Sequence, residues 1–536
     1  RSLTHATLTN VLANGKKKLK IWLDVSSRTS LNLLVTKLVR LWLLLVRNSN
    51  WRIRYNMEGG SISNRLFYCY TVSFYEKEYC LFSFFSYICQ KRDYLLLKAA
   101  MTYLDTDKQT YADLSITETA NNEQFLFSLF SKTETKEGKS LMMNWIMYPL
   151  SDLDMIRKRQ EAVAWDALPE LLLNEEELDF IEYYLAYRDQ IREAHILLSC
   201  ATVIDRLVRY DSTRYVICRG VKLVVHLLHC LKEWATELPQ DAPQLMKESA
   251  AMIDNILHGS ELEEVLEQTS DEEKRLSNFV IDKFDYLFRC TRLLSLKELL
   301  SVIYLLDVCR TAHRVAKEKS FCCMPVMVPT MDFSVEGVVH PFVKDAQPNR
   351  WQMSRGNICI FTGSNMAGKS TTLKALTLAV WLAHCGLPVP VKSMICPLYE
   401  GIYTSINLPD SLRDGRSHFM AEVLRIKEVM QKAVTGKRCL VVLDEMFRGT
   451  NAKDAFQASV AVNELLKSFS HCHFLISTHI LEYAKAFEKD SSCCFYYMEA
   501  EIIDDAFVCP HRLLSGISEA RVGYWVVKKI LSDGLM

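Results

Sequence analysis

Apolar residues recur at helical spacing through residues 101–325, as in 221–234 and 293–312, and glycine occurs there only at 138, 220 and 259. That stretch predicts a mostly α-helical domain. After residue 325 the pattern changes. Short apolar runs at 358–361, 440–443 and 474–476 alternate with helical periods, and twelve of the eighteen glycines fall between 326 and the end. Continuous apolar runs separated by helices predict buried parallel strands and an α/β domain over 326–536. The Cys322-Cys323-Met324-Pro325 stretch marks the boundary. Residues 1–100 have no proline and no sustained period, and no fold is assigned to them.

Charge sharpens this division. The chain has 64 Lys+Arg against 64 Asp+Glu, yet residues 1–100 hold 16 basic and 5 acidic side chains, leaving 48 and 59 for the rest. The neutral total therefore joins a segment of +11 to one of −11. Residues 1–100 begin with Arg1 and are expected to be upstream sequence outside the working protein; as a native segment they would be a nucleic-acid or membrane-surface anchor. Residues 31–46 are apolar but interrupted by Lys37 and Arg40, so they make a basic surface helix rather than a membrane span. The 18 cysteines show no C-x-x-C spacing and no secretory leader precedes them, which points to a reducing, cytoplasmic setting.

The chemistry concentrates in the α/β half. The run 358–361 leads into Gly363-Ser364-Asn365-Met366-Ala367-Gly368-Lys369-Ser370-Thr371, which satisfies G-x-x-x-x-G-K-[ST] between a strand and a helix predicted over 369–383. The glycines let backbone N–H groups curl around phosphate, Lys369 reaches the β and γ phosphates of ATP, and Ser370 offers a hydroxyl to Mg²⁺. Asp444 and Glu445 follow the run 440–443, at the carboxyl end where α/β sheets bind ligands. Asp444 completes the Mg²⁺ shell and Glu445 polarises the attacking water. His479 ends the third strand and is placed to contact the γ-phosphate.

These motifs resemble the MutS family of DNA mismatch repair ATPases. Residues 362–371 are similar to its T-G-P-N-M-x-G-K-S-T, with Ser364 in place of proline; Leu443-Asp444-Glu445-Met446-Phe447-Arg448-Gly449-Thr450 resembles L-D-E-x-x-R-G-T. Residues 414–422 resemble its G-x-S-x-F-x-x-E segment, Ser477-Thr478-His479 its T-H switch, and Thr133, Thr135, Gly138, Trp145, Pro149, Leu150 and Arg159 the opening of its helical core. The resemblance implies an α/β P-loop NTPase of the ABC type behind a helical core or lever domain. It also implies a homodimer through the ATPase domain in which Ser417 acts in trans on the partner's nucleotide, and a 517–531 helix packed on that partner.

Three departures limit what carries over. Phe74-Tyr75-Glu76 spells the family's mismatch wedge without its glycine-aspartate lead-in and too close to the phosphate loop, so it is read as coincidence. Ala346 stands where many members place an aromatic against adenine, although His340-Pro341 upstream fits. The helical zone is short for a core with an inserted clamp. The leading expectation is an Mg²⁺-dependent ATPase acting on double-stranded or branched DNA in repair or recombination. The −11 charge of 101–536 supports a second reading, a nucleotide-gated protein-interaction module that dimerises without DNA. A transporter ATPase is the weakest, because Leu514-Ser515-Gly516-Ile517 only approaches its signature and follows the histidine switch.

Overall fold

The three apolar runs lie side by side as parallel strands. The computed structural model describes residues 8–13, 16–24, 54–62, 65–73, 102–117, 125–170, 172–187, 212–269, 276–353, 355–364, 367–406, 418–503 and 506–518. Contacts divide the chain into two units, Arg1–Ala100 and Met101–Met536. In the first, β1 (Leu8–Ala13), β2 (Lys16–Asp24), β3 (Arg54–Ile62) and β4 (Arg65–Ser73) pair antiparallel in the order β1-β2-β4-β3. The wedge-like Phe74-Tyr75-Glu76 and the apolar run 31–46 lie outside the described residues. Among the described residues, no helix is long and apolar enough to cross a membrane.

The second unit opens with helices. Residues 102–107 run extended before α1 (Lys108–Asp113), whose first turn is capped by Asp107 accepting from Thr110 N–H. Then come α2 (Lys136–Met147), α3 (Leu153–Ala164), α4 (Glu175–Ala186), α5 (Ser212–Glu237), α6 (Gln244–Leu257), α7 (Glu261–Gln268), α8 (Asn278–Tyr286) and the long α9 (Leu293–Lys319). Polar starts explain where several begin: Thr135 caps α2, and Asn174 with Glu177 forms a reciprocal capping box on α4. The α2 cap is itself anchored. Asp307 of α9, buried, accepts from Glu134 N–H at 3.0 Å, Thr135 N–H at 2.8 Å and Thr135 Oγ1 at 2.7 Å.

Beyond α9 the chain builds two sheets. A four-stranded sheet has the order β5-β9-β6-β7, with β5 Val326–Val328, β6 Ser334–Val338, β7 Asn349–Gln352 and β9 Ser393–Pro397. The main sheet has the order β10-β11-β12-β8-β13-β16. Its parallel members are β8 (Ile358–Thr362), β10 (Gly401–Ser405), β11 (Cys439–Asp444), β12 (His473–Ser477) and β13 (Cys493–Met498), with β16 (Leu513–Ser515) antiparallel at one edge; β14 (Glu501–Ile503) and β15 (Ala506–Val508) form a separate antiparallel pair. Every residue of β8, β11 and β12 is buried, as expected of strands covered on both faces.

Among the described residues the helices around this sheet are α10 (Lys369–Cys385), α11 (His418–Ala433), α12 (Ala452–Leu466) and the short α13 (Leu481–Ala486). Almost every residue of α10 from Thr372 onward is buried, so it is a core helix rather than an amphipathic one. The opening segment belongs to the sheet's other edge. Asp105 N–H donates to Glu400 O at 2.8 Å and Asp105 O accepts from Ile402 N–H at 3.0 Å, a parallel bridge onto β10. Asp113 accepts from Thr404 Oγ1 at 2.7 Å and Ile406 N–H at 2.9 Å, and Arg425 of α11 reaches Asp107 Oδ2 at 2.6 Å.

Candidate active site

The site forms where β8, β11 and β12 end. Gly363 (φ +137°) and Gly368 (φ +103°) take backbone conformations closed to L side chains, and they turn the chain from β8 into α10. The buried Lys369 folds back over this loop and donates to Gly363 O at 2.8 Å and Ser364 O at 3.1 Å. Its ammonium is 3.5 Å from Glu445 Oε1. Burial lowers the Lys369 pKa, with Glu445 opposing that trend. Asn365, Met366 and Ser417 lie outside the described residues, as does most of 517–531; residues 513–515 are a strand. Thr371 is exposed on the first turn of α10.

Ser370 Oγ donates to Asp444 Oδ2 at 2.6 Å, across the gap between α10 and β11. Asp444 pairs in register with Ser477 of β12, whose hydroxyl donates to Asp444 Oδ1. Glu445 N–H then donates to both Ser477 O and Ser477 Oγ at 3.1 Å. Glu445 (φ +52°) and Phe447 (φ +64°) adopt left-handed backbone, which costs about 1–3 kcal/mol each and recurs at functional turns.

Nitrogen groups from three elements surround the Glu445 carboxylate. His479 Nδ1 lies 3.5 Å from Oε2, Arg448 Nε 3.1 Å from the same oxygen, and Lys369 on the other side. The neighbouring His479, then Arg448 and Lys369, hold Glu445 at a pKa of about 2 against burial, which pushes the other way. His479 therefore sits on Glu445. Arg448 also approaches Asp444 Oδ2 at 3.3 Å, and its backbone N–H donates to Glu422 Oε1 at 3.3 Å. Phe419 packs on Phe447 with ring centroids 5.6 Å apart. The two ends of the F-x-x-E part of the third motif thus support the Asp444–Phe447 turn.

Sequence reasoning missed the other wall of the loop. His511 (φ +55°) places Nδ1 against Ala367 O at 3.1 Å, and its carbonyl accepts from Asn349 Nδ2 at 3.0 Å. Asn349 Oδ1 in turn accepts from Leu513 N–H at 2.8 Å. No local pattern announces these contacts, because they join residues some 145–165 positions apart. Ala346 and His340 lie in the same connection between β6 and β7, and burial lowers the His340 pKa to about 4.

Residues 359–532 match the family described as MutS domain V. The DNA mismatch repair protein MutS of Granulibacter bethesdensis is 34% identical over 232 residues, which are 42% of this chain and 25% of that protein. The MutS of Aquifex pyrophilus is 33% identical over 192 residues, 36% of this chain and 22% of that protein. The DNA mismatch repair protein MSH7 of Arabidopsis thaliana is 26% identical over 429 residues, covering 69% of this chain and 37% of that protein. Over this part the chain is similar to MutS proteins and matches one of their domains. It spans about a quarter of the length of the MutS proteins it matches first. The matched MutS domain V residues include β11, β12, α10 and every described site residue from Gly363 to His511.

The donor chemistry fits Mg²⁺. Ser370 and Asp444 offer hard oxygens side by side, which suits an ion that keeps several waters and takes one or two protein ligands with substrate phosphates. Among the described residues no group of three or more His, Cys, Asp and Glu side chains is gathered as a metal cage. Ser364 Oγ, at the position of the family's proline, is buried with no hydrogen-bond partner among the described residues.

Proposed function

We propose that this chain is an Mg²⁺-dependent ATPase of the MutS type that couples ATP to DNA binding in mismatch repair or recombination. The carrying observation is the meeting of three separate motifs at one point: Ser370 2.6 Å from Asp444, and Lys369 3.5 Å from Glu445. In this reading residues 363–371 cradle the triphosphate and Lys369 exchanges its loop carbonyls for phosphate oxygens. Ser364 Oγ gains an anionic acceptor there. Ser370 and Asp444 would hold Mg²⁺, and the chemistry it would supply is neutralisation of the charge that develops on the phosphates.

Glu445 orients the attacking water and takes its proton. A carboxylate held near pKa 2 is ionised at every physiological pH but is a weak base, so its main contribution is alignment. His479 fixes the Glu445 carboxylate and links it to β12. The site is completed in a homodimer by Ser417 of the second copy, as the family resemblance implies. The domain limits 101–325 and 326–536, an ABC-type P-loop fold for the latter, and a reducing, cytoplasmic setting belong to the same proposal.

The relatives named above favour DNA over the protein-interaction reading. The test is phosphate release and fluorescent-ATP binding by the full chain, with duplex and branched DNA at low salt. Mg²⁺-dependent release lost in Lys369→Ala, together with salt-sensitive DNA binding, is expected. No ATP binding and no release above background overturns the ATPase; ATP binding without DNA binding leaves the interaction module.

A further inference from the structure

The phosphate loop is one end of α10, and the other end is held by an unusual contact. Seventeen residues of helix, Lys369–Cys385, span about 25 Å. At the far end Arg159 of α3 is buried, and its Nη1 donates to Cys385 O at 3.0 Å. The guanidinium lies 4.1 Å over the Trp145 ring of α2. Gly386 (φ +72°) closes the helix, and a Cβ there would stand 2.5 Å from Arg159 Cβ, so the chain approaches α3 this closely only at glycine.

Among the described residues no carboxylate pairs with Arg159. Its pKa falls to about 10 through burial, which still leaves it charged at neutral pH. An apolar side chain would fill the same space without the desolvation cost of an ion. The charge has two evident complements, the Trp145 ring face and the negative end of α10. Three further bonds tie the same turns to one segment: Trp381 Nε1 to Ile146 O at 2.9 Å, His384 Nδ1 to Leu150 O at 2.7 Å, and Leu150 N–H to His384 O at 2.9 Å. The helix between the two ends is enclosed by core, which resists compression and moves as a body.

We infer that Arg159 is a positioning residue that locks the far end of α10 to α2 and α3, so that phosphate binding at Lys369 is delivered to residues 146–164. The inference rests on the nucleotide reading above. It is tested on the full chain by hydrogen–deuterium exchange, with and without a non-hydrolysable ATP analogue and Mg²⁺. In the wild type, exchange slows at the first turns of α10 and, by roughly 5- to 10-fold, across residues 146–164, the lower range of typical site-to-site coupling. In Arg159→Met the response at α10 persists while that at 146–164 falls below about 2-fold, and Arg159→Lys restores part of it.

Response at α10 without response at 146–164 in the wild type, or full transmission in Arg159→Met, overturns the inference alone. No response at α10 overturns the nucleotide reading and the inference with it. The wild type and Arg159→Lys decide the matter even where Arg159→Met does not fold.

Discussion

A Glu445→Gln chain should bind ATP more tightly than the wild type and turn it over far more slowly. The carboxylate sits among His479, Arg448 and Lys369 at 3.5, 3.1 and 3.5 Å. Its pKa of about 2 against an ordinary 4.5 means that these surroundings favour the charged form by about 3 kcal/mol. Part of that is Lys369, which must release Glu445 to reach a phosphate. Two unit charges at this separation attract by about 4–5 kcal/mol at an effective dielectric of 20. Competition from Arg448 and rehydration leave roughly 1 kcal/mol to be recovered, a tightening of about 5- to 10-fold.

Turnover moves the other way, because glutamine can neither take the proton of water nor offer His479 a carboxylate. Loss of such a group costs about 10²- to 10⁴-fold. Fluorescent-ATP titration gives the first quantity and steady-state phosphate release with Mg²⁺ the second. Retained turnover refutes the role given to Glu445, and weaker ATP binding refutes the competition between its carboxylate and the phosphates for Lys369.

Three further substitutions or conditions test the frame that holds the site. Gly138→Ala pits a helix-propensity gain of about 1 kcal/mol against a Cβ pressed into Asp307 Oδ2 and Thr135 Oγ1, the anchor and cap of α2. Neither can withdraw without breaking its hydrogen bonds, so a net loss of about 2 kcal/mol is expected in urea unfolding; a neutral result would show that the anchor gives way. Arg425→Met strips Asp107 of its guanidinium partner and Thr404 O of two donors, and should lower stability by about 3 kcal/mol by the same measurement. His384 and His473 are buried with pKa values near 4, below the ordinary 6.5. The unfolded chain takes up their protons first, so stability is full above about pH 6.5 and falls as pH drops toward 4, by about 2 kcal/mol per histidine at pH 5. Urea midpoints that do not change between pH 7.5 and 5 contradict this.

What could be read in the sequence was what one stretch of chain determines by itself. The apolar runs before Gly363 and Asp444 had no polar positions for a water-facing side, so they had to be strands buried on both faces, and they are. Gly363 and Gly368 marked a loop that only glycine can close. The contacts that hold the motifs together were not legible. Asp307 anchoring Thr135, Glu422 receiving Arg448 N–H and His511 lying on Ala367 each join residues far apart through one or two hydrogen bonds, which leave no period behind. The helical zone predicted over 101–325 includes residues 102–117, yet Asp105 pairs with β10 and Asp113 receives Ile406 N–H.

That last placement bears on how the halves of this unit act on each other. Among the described residues the helical part grips the α/β part at several places: residues 105–113 hold the β10 edge and α11, Ile146, Leu150 and Arg159 hold the end of α10, and Arg157 and Gln160 reach the start of β5. The first grip flanks the segment that precedes α11, and the second lies one helix length from the phosphate loop. A displacement of α10 alone would load the second grip and leave the first unstrained, so the helical part would turn about the β10 edge instead of translating. Arg425→Met loosens the pivot and Arg159→Met the drive. The two changes should therefore combine non-additively in the nucleotide-dependent exchange of residues 146–164 while remaining additive in urea stability, since they share no partner.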